Sequence, residues 1–363
     1  VTVDAALTRA VTDCGLTAGL DAVGVAAVEP FSSTRRDLEE RKAAGLHGGM
    51  AFTYRNPERS TSPDRIVTGG RSLVVGARSY DSAAVDRPDG GPWARVARYA
   101  RTDVYAPLRA SLDAVAALLH EAGWQARVVA DDNALVDREA AARAGLGWYG
   151  KNANLLLPGR GSWFVLGSVV TDAALLPAPG RVGDGCGACH RCLDGCPTGA
   201  IVRPGVVDAR RCLAWLVQAP GVFPRRWRAA LGDRIYGCDD CQEVCPHNRS
   251  HPAPAAGRPW VSALEWLRLD DDALLAAAGH WYVPRREPRY LRRNALIVLG
   301  NTGDGADPDV LAALDAALAH EDPIVRAHAV WAADRLGHAD LARQRCAGDP
   351  DPDVRAELRA LGE

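Results

Sequence analysis

Residues 186–197 read CGACHRCLDGCP, placing Cys186, Cys189, Cys192 and Cys196 at C-x2-C-x2-C-x3-C with Pro197 behind them. This is the spacing of a bacterial two-cluster ferredoxin, in which three close thiolates take corners of one [4Fe–4S] cube and the fourth serves the other cluster. A shorter run, Cys238, Cys241 and Cys245 with Pro246, is the same motif without its first cysteine. Cys212 fills that vacancy. Counting then assigns Cys186, Cys189, Cys192 and Cys245 to one cluster, and Cys196, Cys212, Cys238 and Cys241 to the other. Two structural zinc sites are the alternative, but zinc ribbons favour separated C-x2-C pairs. His190 and His247 flank ligands whose count is already complete, so they are expected to face solvent or form hydrogen bonds.

Outward from this segment the chain of 363 residues predicts two or three domains, at ~150 residues each. Apolar and charged contents of 47% and 24% are those of a globular protein. A net charge of −2 excludes a uniformly basic nucleic-acid coat, though not a local patch. Only two basic residues are lysines, Lys42 and Lys151, so no arginine is informative by its type alone. No apolar run reaches the ~18 residues of a membrane span. Asp4, Arg9 and Asp13 interrupt the place of a signal-peptide core. Eight of ten cysteines lie between Cys186 and Cys245, which favours metal chemistry in a reducing cytoplasm over disulfides.

The expected architecture has an α/β domain over 1–175, a ferredoxin-like two-cluster domain over 176–258, and an all-α repeat domain over 259–363. In the first, 23–28, 72–77, 126–130, 154–157 and 163–171 read as strands. Leu108, Leu112, Val115 and Leu119 follow helical spacing, and Gly123 stops that helix. An alanine-rich helix is expected over 134–144, ended by Gly145. In the last domain, Asp322-Pro323-Ile324-Val325-Arg326-Ala327 recurs as Asp351-Pro352-Asp353-Val354-Arg355-Ala356, the Asp-Pro start of stacked helical repeats.

Gly145 to Asn152 satisfies G-x-G-x-x-G and nearly satisfies a phosphate loop. However, a helix precedes it and a strand follows, the reverse of what phosphate binding at a helix N-terminus needs. A glycine-lined wall or a tight turn is the better reading. Asp131, at the end of a strand, is either a helix N-cap or a proton donor placed at the carboxyl end of a strand.

Together these residues resemble the epoxyqueuosine reductases. The likeness is carried by 131–138, by Ala144-Gly145-Leu146-Gly147-Trp148 with Gly150-Lys151-Asn152, and by Gly161-Ser162-Trp163. It continues through the cysteine run, Ile235 to Gln242, and Arg293-Asn294-Ala295. The resemblance implies a cytoplasmic, monomeric enzyme with cobalamin and two [4Fe–4S] clusters. It would reduce epoxyqueuosine to queuosine at the tRNA wobble position, the last step of queuosine biosynthesis. Electrons would come from a flavodoxin- or ferredoxin-type donor, with no membrane partner. Asp131 would donate the proton, and Arg59, Asp131, Leu155, Ala214 and Asp239 would contact the corrin. The chain departs from the family at Thr102-Asp103-Val104-Tyr105, one residue shorter than the usual Gly-x-Asp-Tyr-His. Arg225, Arg226, Arg285, Arg286, Arg289, Arg292 and Arg293 would meet tRNA phosphates, with Trp227 or Tyr290 stacking on a base. A reductive dehalogenase-like enzyme acting on a small organic substrate is the alternative. A third class, a pure electron carrier, leaves the large α/β domain without a purpose.

Overall fold

The computed structural model describes residues 3–248 and 254–362. It comprises two compact units, each assembled from three stretches of chain. The first takes 1–83, 103–210 and 240–254; the second takes 84–102, 211–239 and 255–363. The units therefore interleave along the sequence, whereas the expected domains run consecutively.

The first unit is built on a four-stranded sheet of β1 (Ala22–Ala27), β2 (Ser72–Ser79), β3 (Ala126–Ala130) and β4 (Phe164–Thr171), in the order β1-β2-β4-β3. Every pairing is antiparallel. Sequence reading found these strands to within two residues, because Val- and Leu-rich runs bounded by turn residues pay little to extend. Alternation along β2 sends Leu73, Val75 and Ala77 into one core and Val74 into the other. The Val74 face packs on α1 (Ala5–Thr17) and α2 (Tyr105–Glu121) through Val11, Leu108, Leu112 and Leu119. The opposite face packs on α3 (Asp137–Arg143) through Ala140 and Ala141. Since the sheet has no parallel strands, the rule for ligand placement in parallel sheets does not apply to Asp131; the end of β3 alone places it.

In the second unit, Trp93–Val96 forms the middle strand between Arg234–Tyr236 and Trp260–Ser262. Helices α4 (Arg289–Thr302), α5 (Pro308–Leu318), α6 (Pro323–Arg335), α7 (Ala339–Arg345) and α8 (Pro352–Arg359) follow. The repeated Asp-Pro starts behave as read. Asp322 accepts from the Ile324 N–H at 2.8 Å, and Asp351 from Asp353 at 2.9 Å, with proline at the first helical turn. Each such cap stabilises its helix by about 0.5–2 kcal/mol.

His328, fully buried on α6, shows how tightly this unit is wired. Its Nε2 accepts from the Phe223 N–H at 3.1 Å, which leaves Nδ1 to donate to the Ile324 carbonyl at 2.7 Å. Only the neutral ring can do both. Burial, with the Arg228 and Arg293 cations nearby, holds its pKa well below the usual histidine range.

Candidate active site and cluster-binding loops

Cys186, Cys189, Cys192 and Cys245 line one cavity of the first unit together with Gly150, Lys151 and Asn152. Among the described residues no three His, Cys, Asp or Glu side chains are gathered as a single metal ion requires. Four thiols on one cavity match the ligand count of a cubane cluster. Burial pushes Cys192 and Cys245 up, and the neighbouring thiols add to it. Thiolates gathered in this way repel one another until a cationic core lies between them.

The glycine segment is the wall of this cavity. Its two-residue strands Trp148–Tyr149 and Leu155–Leu156 pair antiparallel after α3, the element order that argues against a phosphate loop. A Cβ at Gly147 would stand 2.1 Å from the Leu156 carbonyl oxygen, so no other residue fits. Lys151 Nζ donates to the Gly187 carbonyl at 2.6 Å, and Asn152 Nδ2 to that of Cys241 at 3.3 Å. His247 meets the Gly185 carbonyl at 3.1 Å and His190 pairs with Asp194 at 2.5 Å, so both flanking histidines form hydrogen bonds.

Asn248 was not singled out from sequence, and its neighbour at Pro246 is the signal that it ends the cluster loop. Its Oδ1 accepts from the Ser162 N–H at 2.6 Å and its Nδ2 donates to Ser162 Oγ at 2.9 Å and the Gln242 carbonyl at 2.8 Å. Gln242 Nε2 donates in turn to the Ser162 carbonyl at 3.1 Å. A Cβ at Gly161 would lie 2.0 Å from Asn248 Oδ1, and φ there is +75°. The Gly161-Ser162-Trp163 motif is thus a clasp on the cysteine loop. Of the four cysteines that the spacing assigns to a second cluster, Cys196 and Cys241 belong to the first unit, and Cys212 and Cys238 to the second. Cys196 Sγ accepts from the Ala200 N–H at 3.2 Å.

Asp131 follows β3 with φ of +52°, a left-handed conformation that costs a non-glycine residue roughly 1–2 kcal/mol. It is not a helix cap. Helix α3 starts at Asp137 rather than at 134, and its N-cap Val136 makes no side-chain cap bond. The intervening loop is held otherwise. Asp132 Oδ1 accepts from the Ala134 N–H at 2.8 Å, Asn133 Oδ1 from Thr53 at 3.2 Å, and the Ser60 carbonyl from Val136 at 3.0 Å. The short helix Pro57–Ser60 that carries exposed Arg59 is therefore tied to the loop of Asp131. Solvent still reaches Asp131, yet partial burial pushes its carboxyl up, with Arg109 opposing and Asp132 adding. Arg109 is turned towards the backbone and donates to the Ala130 carbonyl at 2.5 Å. Burial likewise raises Tyr105, at the start of α2, and the charges of Asp131 and Asp137 add to it.

Several expected contacts have other duties. Leu155 is buried in the apolar core beside α3, where its side chain packs. Asp239 is buried and accepts from the Arg98 N–H at 2.8 Å. Ala214 sits half-buried in the helix Leu213–Leu216, and its carbonyl accepts from Gln218 at 2.8 Å. Arg59 and Asp131 keep exposed, charged side chains.

The arginines divide in the same way. Arg293 is fully buried against backbone carbonyls, and Arg292 is spent on Asp271 at 2.5 Å and the Leu269 carbonyl at 2.8 Å. Arg225 pairs with Glu357 at 2.6 Å, and Arg289 with Glu287 at 2.8 Å and Asp322 at 3.0 Å. Arg286 donates to the Leu275 and Gly279 carbonyls at 3.0 and 3.2 Å, at the end of the helix Asp271–Ala278. Tyr290 is buried beneath Arg289 and Arg293. These five arginines are held within the protein by carbonyls or carboxylates, which leaves each guanidinium fewer donors for phosphate. Arg226 and Arg285 are exposed; Arg226 lies over the ring of half-buried Trp227 at 5.4 Å, and Arg285 is held at φ of +52°.

A cage of half-buried thiols, a mixed α/β unit and capped helical repeats define an iron–sulfur oxidoreductase with a repeat module. The family descriptions that match are the 4Fe-4S double cluster binding domain over 185–248 and HEAT repeats over 283–362. The chain belongs to the epoxyqueuosine reductase family. It is 30% identical over 341 residues to the epoxyqueuosine reductase of Bacillus anthracis, covering 88% of this chain and 87% of that one. To that of Xanthomonas campestris pv. campestris it is 35% identical over 343 residues, covering 88% and 93%. Among solved structures, an epoxyqueuosine reductase with an epoxyqueuosine-modified tRNA-Tyr stem loop matches at a TM-score of 0.89 and 27% identity, over 97% of both chains. The Bacillus subtilis epoxyqueuosine reductase, with its aspartate catalytic loop swung out of the active site, matches at 0.87 and 28%, again over 97% of both.

Proposed function

We propose that this chain reduces epoxyqueuosine in tRNA to queuosine, with Asp131 as proton donor. The observation that carries the reading is the presence in one unit of a four-thiol cavity and an aspartate in a left-handed loop, in a chain related over most of its length to epoxyqueuosine reductases. Removing the epoxide oxygen as water consumes two electrons and two protons. The two clusters, on the ligand sets counted from sequence, carry the electrons one at a time. Cobalamin, when bound, supplies the cobalt chemistry that turns one-electron delivery into cleavage of a C–O bond. Arg59 and Asp131 are the side chains that fit it, and the loop between them is braced by Asn133 and Ser60. A carboxyl raised by burial keeps its proton closer to neutral pH, which is what donation to a departing oxygen needs. The solved relative with a bound stem loop supports tRNA as substrate. The dehalogenase-like alternative draws nothing from the relatives named above.

The same reading includes a cytoplasmic monomer fed by a flavodoxin- or ferredoxin-type donor, and modules over 1–175, 176–258 and 259–363. Among the described residues no helix is long and apolar enough to cross a membrane. The test is anaerobic reconstitution followed by conversion of epoxyqueuosine-containing tRNA. About eight iron and eight sulfide per chain are expected, with Cys212→Ala losing about half. Stoichiometric zinc without iron, or no conversion by the fully loaded protein, overturns the assignment.

For tRNA, Arg226 and Arg285 are the arginines left to meet phosphates. Neutralising both to Gln is expected to weaken tRNA binding and to lower the slope of log affinity against log salt by about two. Iron content stays the same. An unchanged slope returns both residues to ordinary solvated surface.

A further inference from the structure

Arg293 has no route to tRNA, but its position is unusual for a buried cation. Its Nη1 donates to the carbonyls of Ala219 and Gly221, both at 2.7 Å. Nη2 donates to those of Leu216 at 3.2 Å and Val217 at 3.0 Å, and Nε to Asn294 Oδ1 at 3.1 Å. All five guanidinium protons are thereby used. None of these acceptors is a carboxylate. Burial lowers its pKa to about 9, so it remains cationic at neutral pH. A buried charge without a counter-ion is costly unless hydrogen bonds or an opposite charge compensate it.

The acceptors lie beside second-cluster cysteines. Cys212 caps the helix Leu213–Leu216, its carbonyl accepting from the Leu216 N–H at 2.9 Å, and Arg293 holds the Leu216 carbonyl one turn on. Asn294 Nδ2 bridges the Val217 carbonyl at 2.9 Å and that of Ile235 at 3.1 Å, three residues before Cys238. Cys238 packs against the core containing Leu213, Leu216 and Val217. One side-chain pair thus ties the segment of Cys212 to the segment of Cys238.

We propose that Arg293 and Asn294 are positioning residues for the second [4Fe–4S] cluster, fixing Cys212 and Cys238 and supplying the buried positive charge that balances its thiolates. The inference rests on the ligand assignment made under the proposed function. A cluster held by four thiolates is anionic, and reduction adds one more negative charge, so a nearby fixed cation favours the reduced form.

The test uses anaerobically reconstituted full-length protein, with iron content and redox titration of each cluster followed by electron paramagnetic resonance. Arg293→Met is expected either to lose about half the iron or to keep both clusters with a lower second midpoint potential. The first cluster should be unmoved in either case. Arg293→Lys keeps the charge but cannot fork across four carbonyls, so it should lower second-cluster occupancy without lowering the potential of what remains. It also serves if Arg293→Met does not fold. A folded Arg293→Met with full iron and unshifted potentials overturns the proposal, as does an Arg293→Lys protein with full occupancy when the Met variant is insoluble. Failure of the unmutated chain to take up two clusters would instead overturn the ligand assignment beneath it.

Discussion

Asp131→Asn is expected to slow single-turnover conversion of epoxyqueuosine-containing tRNA by ~10²–10⁴-fold, the usual contribution of a general acid. The substitution is nearly isosteric, and no helix depends on Asp131 for capping, since α3 begins six residues later. The loop should therefore stay in place through the hydrogen bonds of Asp132, Asn133 and Val136. What is lost is a proton that an amide cannot give to a departing oxygen. The pH dependence has a definite sign. Burial raises the carboxyl, so the protonated, active form persists above the ordinary aspartate pKa and the rate falls as pH rises past the shifted value. In the Asn variant that limb should vanish. Pre-reduced protein keeps electron delivery from limiting the measurement. Turnover within a few-fold of the unmutated chain would move the role to Asp137, whose Oδ1 is buried without a hydrogen-bond partner among the described residues and whose carboxyl burial raises strongly.

How far the sequence reveals such a site depends on the range of the interactions that build it. The strands were legible because β-branched runs between turn residues are local signals, and the cysteine spacing was legible because cluster geometry is imposed within a dozen residues. The start of α3 was not. Ala134 and Leu135 are good helix formers, but Asp132 bonds to the Ala134 N–H and Asn133 reaches Thr53, eighty residues away, so the chain turns before it coils. The antiparallel order of the sheet is set by pairings such as Val75 with Ser168, which no local pattern encodes. The arginines from 285 to 293 misled for a similar reason. Their density reads as a phosphate-binding face, yet α4 runs through Leu291, Ala295, Leu296, Ile297 and Val298, all buried. A helix apolar on nearly every side is enclosed, and an arginine within it must find carbonyls or carboxylates there. That signal was present in the sequence beside the charge pattern that obscured it.

The enclosed ion network at the far end of the repeats carries the other large expectation. Glu357 of α8 accepts from Arg228 Nη2 at 2.6 Å through one oxygen and from Arg225 Nη1 at 2.6 Å through the other. Arg228 is wholly buried and donates from Nε to the Phe223 carbonyl at 3.0 Å. Both arginines stand on the helix Arg225–Leu231, between Cys212 and Cys238 in sequence. Removing the carboxylate in Glu357→Ala leaves a buried cation uncompensated, a change that typically costs about 3–5 kcal/mol. Arg225 contributes less to that figure, because it is partly exposed and keeps Asp334 at 3.7 Å. Amide exchange in α6 and α8 should accelerate by about two to three orders of magnitude, at ~1.4 kcal/mol per factor of ten. The double variant Glu357→Ala with Arg228→Met should recover most of the loss, since an apolar side chain of similar length needs no counter-charge. If Glu357→Ala costs less than about 1 kcal/mol, or the double variant is no better than the single one, the pair is not what holds the last repeat to the helix between the cysteines.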